Sequence, residues 1–229
     1  MANNEVDGPR IISTNRWRSK KDIDLGYLSL YRLKRQINEK TKVIFLADGF
    51  PKQGNTSLRT ILLFVFPEMA MPEPLTHNIH IMKEAIEEKS IVLCPIRNPY
   101  ETISSACNQT KRYTNKKRFS IRKTIHEYTI MMTFILKNKD SILIIKYEDV
   151  LKMCLDCENN NIENNPIIYY LQNRFDLFLD NENVTDPFIK NGSHRSIIIE
   201  ERLHSFRYRR KMRKAVNLYN QAYQHSLGV

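Results

Sequence analysis

Two glycines and a lysine, Gly49, Lys52 and Gly54, stand between an apolar run and a segment of helical periodicity. These are the residue types from which an anion cradle is built. Glycines let loop amides turn inward, a helix N-terminus adds further N–H groups, and a lysine adds a point charge. The stretch from Lys42 to Leu63 reads KVIFLADGFPKQGNTSLRTILL. Val43 to Ala47 have the length and apolar character of a buried strand. Asp48, Gly49, Phe50 and Pro51 break it, and Leu58, Ile61, Leu62 and Val65 then recur at helical spacing. A strand, a tight loop and a helix follow one another, and a phosphate-like anion is what such a loop would hold.

The loop departs from the nucleotide pattern G-x-x-x-x-G-K-[ST]. Gly49 and Gly54 keep its glycine spacing, but Asn55 stands at the lysine position and Lys52 comes earlier. An ATPase or GTPase without that lysine is disfavoured, so the displaced Lys52 points to different chemistry. An ordinary strand–turn–helix with a surface lysine is the plainer alternative.

The elements that would position this loop alternate along the chain. Ile91 to Ile96 and Ile142 to Lys146 read as two more strands, broken by Arg97-Asn98-Pro99 and by Tyr147-Glu148-Asp149, which opens a short helix. Helical segments are expected over Leu75–Glu88, Tyr100–Asn108 (with Pro99 in its first turn), Thr124–Leu136, Ile167–Leu179 and, as one long basic helix, Ile197–Leu227. Leu171, Phe175 and Phe178 should face inward. Leu25–Ile37 carries a further helical pattern, Phe66–Pro74 reads as a connector, and Asp156–Asn165 as an Asn/Glu-rich loop. The fold class expected is α/β, a three-layer α/β/α arrangement with a mostly parallel sheet. In such sheets ligands sit at the carboxyl ends of strands, so the breaks after Ala47, Ile96 and Lys146 should face one crevice.

Composition bounds the rest. At 229 residues the chain reads as one domain over 1–229, with an N-terminal extension and helix (1–40), a core that holds the glycine loop (41–151) and a helical C-terminal part (152–229). The formal net charge of +11 suits anionic ligands and acidic surfaces. MANNEVDGPR has no apolar h-region, and no apolar run reaches about 18 residues, so neither a signal peptide nor a membrane span is expected. Four cysteines without a secretory signal read as free thiols in a cytoplasmic setting.

Three blocks together carry a family resemblance. FPKQGNTSL (Phe50–Leu58) resembles the phosphosulfate loop of the sulfotransferases, roughly Y-P-K-S-G-T-T-W. IRNPYETISS (Ile96–Ser105) resembles their second signature, R-N-x-x-D-x-x-x-S, with Arg97 and Ser105 eight apart. IIKYEDV (Ile144–Val150) looks like their third block. The resemblance covers Lys42 to Leu151 and implies a P-loop, sulfotransferase-like fold. It implies transfer of a sulfuryl group from 3′-phosphoadenosine 5′-phosphosulfate to a hydroxyl or amine by in-line displacement, without a metal. It assigns the 5′-phosphosulfate to Lys52, Gln53, Gly54, Asn55, Thr56 and Ser57, with Lys52 neutralising the leaving oxygen. The 3′-phosphate falls to Arg97 and Ser105. Leu75-Thr76-His77 resembles the T-H of cytosolic members, whose histidine is the general base; His80, or a glutamate as in other branches, is the alternative. Lys190-Asn191-Gly192 is the counterpart of a late R-K-G, adding Lys190 and Gly192 to the 3′-phosphate site.

The sequence departs from the family at Gln53, Asn55 and Ser57, where Ser, Thr and Trp are usual, and at Glu101, where Asp is common. Cys154 and Cys157 have metal or redox spacing but no second pair nearby, and read as chance thiols. Arg207 to Lys214 is a dense basic run, ordinarily a solvated helix face. Two other classes remain open beside the sulfotransferase: a P-loop nucleotide kinase or phosphotransferase, and a non-catalytic protein using this run on nucleic acid. The partners expected are the nucleotide donor and an acceptor (small molecule, glycan or protein) that the sequence does not name.

Overall fold

The computed structural model describes residues 43–66, 69–70, 77–114, 120–179 and 196–227. Strand β1 (Val43–Ala47) leads through the glycine loop into helix α1 (Asn55–Val65), followed by the two-residue strand β2 (Met69–Ala70). Helix α2 (Ile79–Glu87) then precedes β3 (Ile91–Ile96). Helices α3 (Pro99–Thr114) and α4 (Ile121–Lys137) lead to β4 (Ile142–Lys146). Helices α5 (Tyr147–Glu158), α6 (Pro166–Phe175), α7 (Ile197–His204) and α8 (Phe206–Gln224) follow among the described residues. The strands run parallel in the order β2-β1-β3-β4, so the chain is α/β with a small parallel sheet and mostly helices.

Alternation along the strands divides the core. Leu46, Val92, Cys94, Ile96, Ile142 and Ile144 face one side, packed with α2, α3, α4, α7 and α8. Phe45, Ala47, Leu93 and Ile145 face the other, packed with α1, α5 and α6. Helices therefore cover both faces, which is why β3 reads as an unbroken apolar run. Helix α1 buries Leu58, Ile61, Leu62 and Val65 completely. Each such side chain contributes about 1.5–3 kcal/mol, so packing rather than capping holds α1 in place.

Strand order places the crevice. From β1 the chain goes outward to β2 by way of α1 on one face, then returns to β3 by way of α2 on the other. That reversal opens a gap at the carboxyl ends of β1 and β3. Pro95 shows the same opening from within the sheet. Ala47 pairs with Leu93, and the Asp48 N–H donates to the Leu93 carbonyl at 3.0 Å, so β1 ends two residues short of the level of Pro95. The missing proline N–H faces the loop, where no ladder bond is lost. At the opposite edge, the Leu227 N–H donates to the Ile144 carbonyl of β4 at 2.9 Å.

The three strands read from sequence match residue for residue, whereas several other boundaries are corrected. Helix α2 begins at Ile79, not Leu75: Asn78 caps it by accepting the His80 N–H, and His77 precedes it with φ +52°. Helix α3 extends to Thr114. Helix α5 runs on to Glu158, and a 3-10 turn (Ile162–Asn164) occupies much of the expected loop. Phe178 is 62 % exposed instead of facing in, because the left-handed Asp176 ends α6 at Phe175. The expected single C-terminal helix is two, divided at Ser205, whose extended backbone (ψ 154°) interrupts the ladder. The readings over 1–42 and most of Asn181–Ser196 lie outside the described residues. Among those described, no helix is long and apolar enough to cross a membrane.

Candidate functional site

The glycine loop closes through its own side chains. Gln53 Oε1 accepts the Phe50 N–H at 3.0 Å, and Asn55 Nδ2 donates to the Phe50 carbonyl at 3.1 Å. Both side chains are buried, at 0 % and 3 % exposure. They brace the loop from inside, holding both the Phe50 N–H and the Phe50 carbonyl. The asparagine at the Walker lysine position is thus a strut. Lys52 adopts φ +72° and Gly54 φ +95°, two left-handed residues within three. Such a conformation in a lysine costs about 1–3 kcal/mol and is a local strain of the kind stored at ligand sites. Gly54 is the N-cap of α1 and offers no side-chain cap. Thr56 is exposed and Ser57 half-buried in the first turn of α1.

His77 docks beside this loop on a residue whose role the sequence did not disclose. Asp48 is fully buried directly after β1. Its Oδ1 accepts the Gly49 N–H at 2.8 Å and lies 2.9 Å from His77 Nδ1; its Oδ2 accepts the His77 backbone N–H at 2.8 Å. His77 Nδ1 also lies 2.8 Å from the Gly49 carbonyl oxygen and 3.2 Å from Asn55 Nδ2. Two oxygens converging on Nδ1 place a proton on that nitrogen, which leaves Nε2 as the nitrogen that can exchange one with a ligand. A carboxylate that fixes tautomer and ring orientation is how a histidine base is prepared. In sequence, Asp-Gly after a strand is ordinarily a turn signal, and nothing local marks its carboxylate as buried. His80 sits in the first turn of α2, its N–H donating to Asn78 Oδ1 at 2.9 Å.

The second and third blocks meet the first through Tyr147. A Cβ placed on Gly54 would lie 3.0 Å from Tyr147 Cδ2, so the ring at the start of α5 rests against the loop. The Arg97 guanidinium lies over the same ring, 4.3 Å from its centroid. Arg97 Nε and Nη2 both donate to Glu101 Oε2, at 2.9 and 2.7 Å, and the Arg97 carbonyl accepts the Tyr128 hydroxyl at 3.3 Å. Loop, tyrosine and arginine thus form one continuous wall at the carboxyl ends of β1, β4 and β3. Ser105 is buried in α3 one turn beyond Glu101, on the side of the helix that Glu101 shares. Lys190 and Gly192 lie outside the described residues.

Packing beneath the site is tight. A Cβ on Gly49 would meet Cys94 Sγ at 2.8 Å. Burial, and then the charge of Asp48, push the Cys94 thiol well up. Cys154 and Cys157 face the core from α5, and burial chiefly raises them to about 11 and about 12. A group so raised is a protonated thiol at neutral pH, neither nucleophile nor ready metal ligand. These three cysteines are expected to resist iodoacetamide in the native protein at neutral pH and to react once guanidinium unfolds it. Mass mapping of the alkylated sites checks this, and rapid native labelling of Cys154 or Cys157 would contradict it.

Comparison with family models, with curated proteins and with solved structures finds no match.

Proposed function

We propose that this chain is a sulfotransferase on a P-loop-type scaffold, using 3′-phosphoadenosine 5′-phosphosulfate as donor. The observation that carries the reading is the junction of Gly54, Tyr147 and Arg97, which joins the three sequence blocks into one crevice. A donor with anionic groups at both ends of its ribose needs two grips a nucleotide apart. The loop amides with Lys52 would take the phosphosulfate. Arg97 would take the 3′-phosphate, since a guanidinium has five N–H groups and Glu101 uses two of them. Gln53 Nε2 fits the same reading: it is a buried donor with no partner among the described residues, and an approaching anion would supply one.

In the reaction, the acceptor hydroxyl oxygen forms a bond to sulfur as the bond from sulfur to the 5′-phosphate oxygen breaks. The acceptor's proton passes to His77 Nε2, and the charge left on the phosphate oxygen is met by Lys52. Asp48 holds the imidazole and stabilises its cationic form.

Calorimetric titration with 3′-phosphoadenosine 5′-phosphate, set against ATP with Mg²⁺, tests the reading. The bisphosphate is expected to bind and ATP to bind far more weakly. Arg97→Ala should reduce bisphosphate affinity by about 2 kcal/mol, roughly 30-fold, since a charge-assisted contact is lost. Preference for ATP, or no bisphosphate binding, overturns it.

A further inference from the structure

Outside the crevice, the strongest feature is a cationic groove between the N-terminal halves of α4 and α8. A cavity of about 350 Å³ is lined there by Ser120, Arg122, Lys123, His126 and Lys211. Cations stand on both walls, which suits an anionic ligand. The nearest acid on α4, Glu127, is buried and lies 3.7 Å from Lys123 Nζ, so its carboxylate is turned inward.

Helix α8 continues the groove around its surface. It buries Met212, Ala215 and Ala222, so its outer arc is set by position. At about 3.6 residues per turn, Arg207, Lys214 and Arg210 follow one another from Lys211 towards Phe206. Phe206 is 93 % exposed, with Arg209, Arg210 and Arg213 at the i+3, i+4 and i+7 positions. No acidic residue occurs from Phe206 to Gln224. An exposed aromatic ring amid arginines suits a ligand that brings both a flat face and negative charge.

We propose that this groove and the outer arc of α8 bind single-stranded nucleic acid. Backbone phosphates lie along Arg122, Lys123, His126 and Lys211, and a base stacks on Phe206. An anionic bilayer fits less well, because it needs a broad apolar face and the arc offers one ring between cations. An acidic peptide has no use for the exposed ring. The groove is also at the crevice end of the molecule. Helix α4 ends next to the start of β4, and its Tyr128 bonds to the Arg97 carbonyl at the carboxyl end of β3. The N-terminal turns of α4 therefore project past that edge.

Fluorescence anisotropy with labelled oligouridylate and oligothymidylate tests the site on the full chain. With about three phosphates engaged, at Arg122, Lys123 and Lys211, the slope of log affinity against log salt should be near about −2. Arg122→Glu with Lys211→Glu should lower affinity at least tenfold at low salt and flatten the slope. Phe206→Ala should lower it roughly tenfold without changing the slope, since stacking releases no counterion. Lys83→Glu, on the exposed surface of α2, should change nothing. Circular dichroism confirms that each variant folds, as exposed side chains allow. Absence of oligonucleotide binding, equal losses with Lys83→Glu, or an unchanged affinity for Phe206→Ala overturns the proposal. So does a pattern in which phosphatidylserine vesicles or polyglutamate, rather than oligonucleotides, respond to these substitutions.

Discussion

Asp48→Asn is expected to lower the rate of sulfuryl transfer by about 10²–10⁴-fold, the usual worth of a positioned general base. Among its bonds to the described residues, the carboxylate accepts the Gly49 N–H and the His77 N–H and faces His77 Nδ1. An asparagine of the same size keeps one acceptor oxygen and turns its second position into a donor. That donor would face either the His77 backbone N–H or its Nδ1–H. In either orientation the imidazole loses the negative charge that stabilises its cationic form, while the Gly49 carbonyl, 2.8 Å from Nδ1, still holds the ring. The loss should therefore fall on kcat, with bisphosphate affinity unchanged, because neither Asp48 nor His77 is assigned to a phosphate. His77→Ala should cost as much, and the double variant little more, since the two residues act as a unit. Steady-state kinetics of the three variants decide the matter. Full turnover in Asp48→Asn beside an inactive His77→Ala would sink the role given to the Asp48 charge; activity in both would place the base elsewhere.

The parts of the fold that were legible are those decided locally. β1, β3 and β4 are apolar runs, each followed within three residues by Gly, Pro or acidic residues that end the apolar pattern, so their limits could be read directly. Boundaries set by side-chain contacts at a distance, or by a single dihedral, could not be. Leu75 to Asn78 carries a helical pattern, yet His77 leaves the helical region to reach Asp48, and Asn78 starts the helix instead. No glycine or proline marks the break at Ser205. Asn165 looked like loop because of its neighbours, but its side chain accepts the Ile167 and Ile168 N–H groups and caps α6. The candidate site was legible in its outline: the loop glycines, Lys52, Arg97 and His77 were all visible as residue types at a spacing. Hidden were the inward struts Gln53 and Asn55, the buried Asp48, and Tyr147 as the piece that joins loop to arginine. Each of these depends on which residue another element brings against it, and one-dimensional spacing carries no such information.

Gly54→Ala is expected to destabilise the protein by about 2–5 kcal/mol and to weaken bisphosphate binding in the same step. Two terms add. A left-handed alanine costs about 1–2 kcal/mol, and an inserted methyl in a filled space typically costs about 1–3 kcal/mol more. The second term is specific here: the new Cβ meets Tyr147 Cδ2 at 3.0 Å and Cε2 at 3.2 Å. The ring has little room to yield, because the Arg97 guanidinium lies on it and Arg97 is itself tied to Glu101. Any shift that relieves the methyl therefore moves the arginine assigned to the 3′-phosphate. Thr56→Ala, two residues on with an exposed side chain, should stay within about 0.5 kcal/mol. The two terms separate in a double-mutant cycle read by denaturant unfolding. Removing the ring with Tyr147→Ala leaves the dihedral penalty intact but abolishes the clash, so Gly54→Ala should cost about 1–2 kcal/mol in that background. An additive cycle would mean that Gly54 is needed for its backbone alone. The contact between loop and tyrosine would then not be what aligns Arg97 with the cradle.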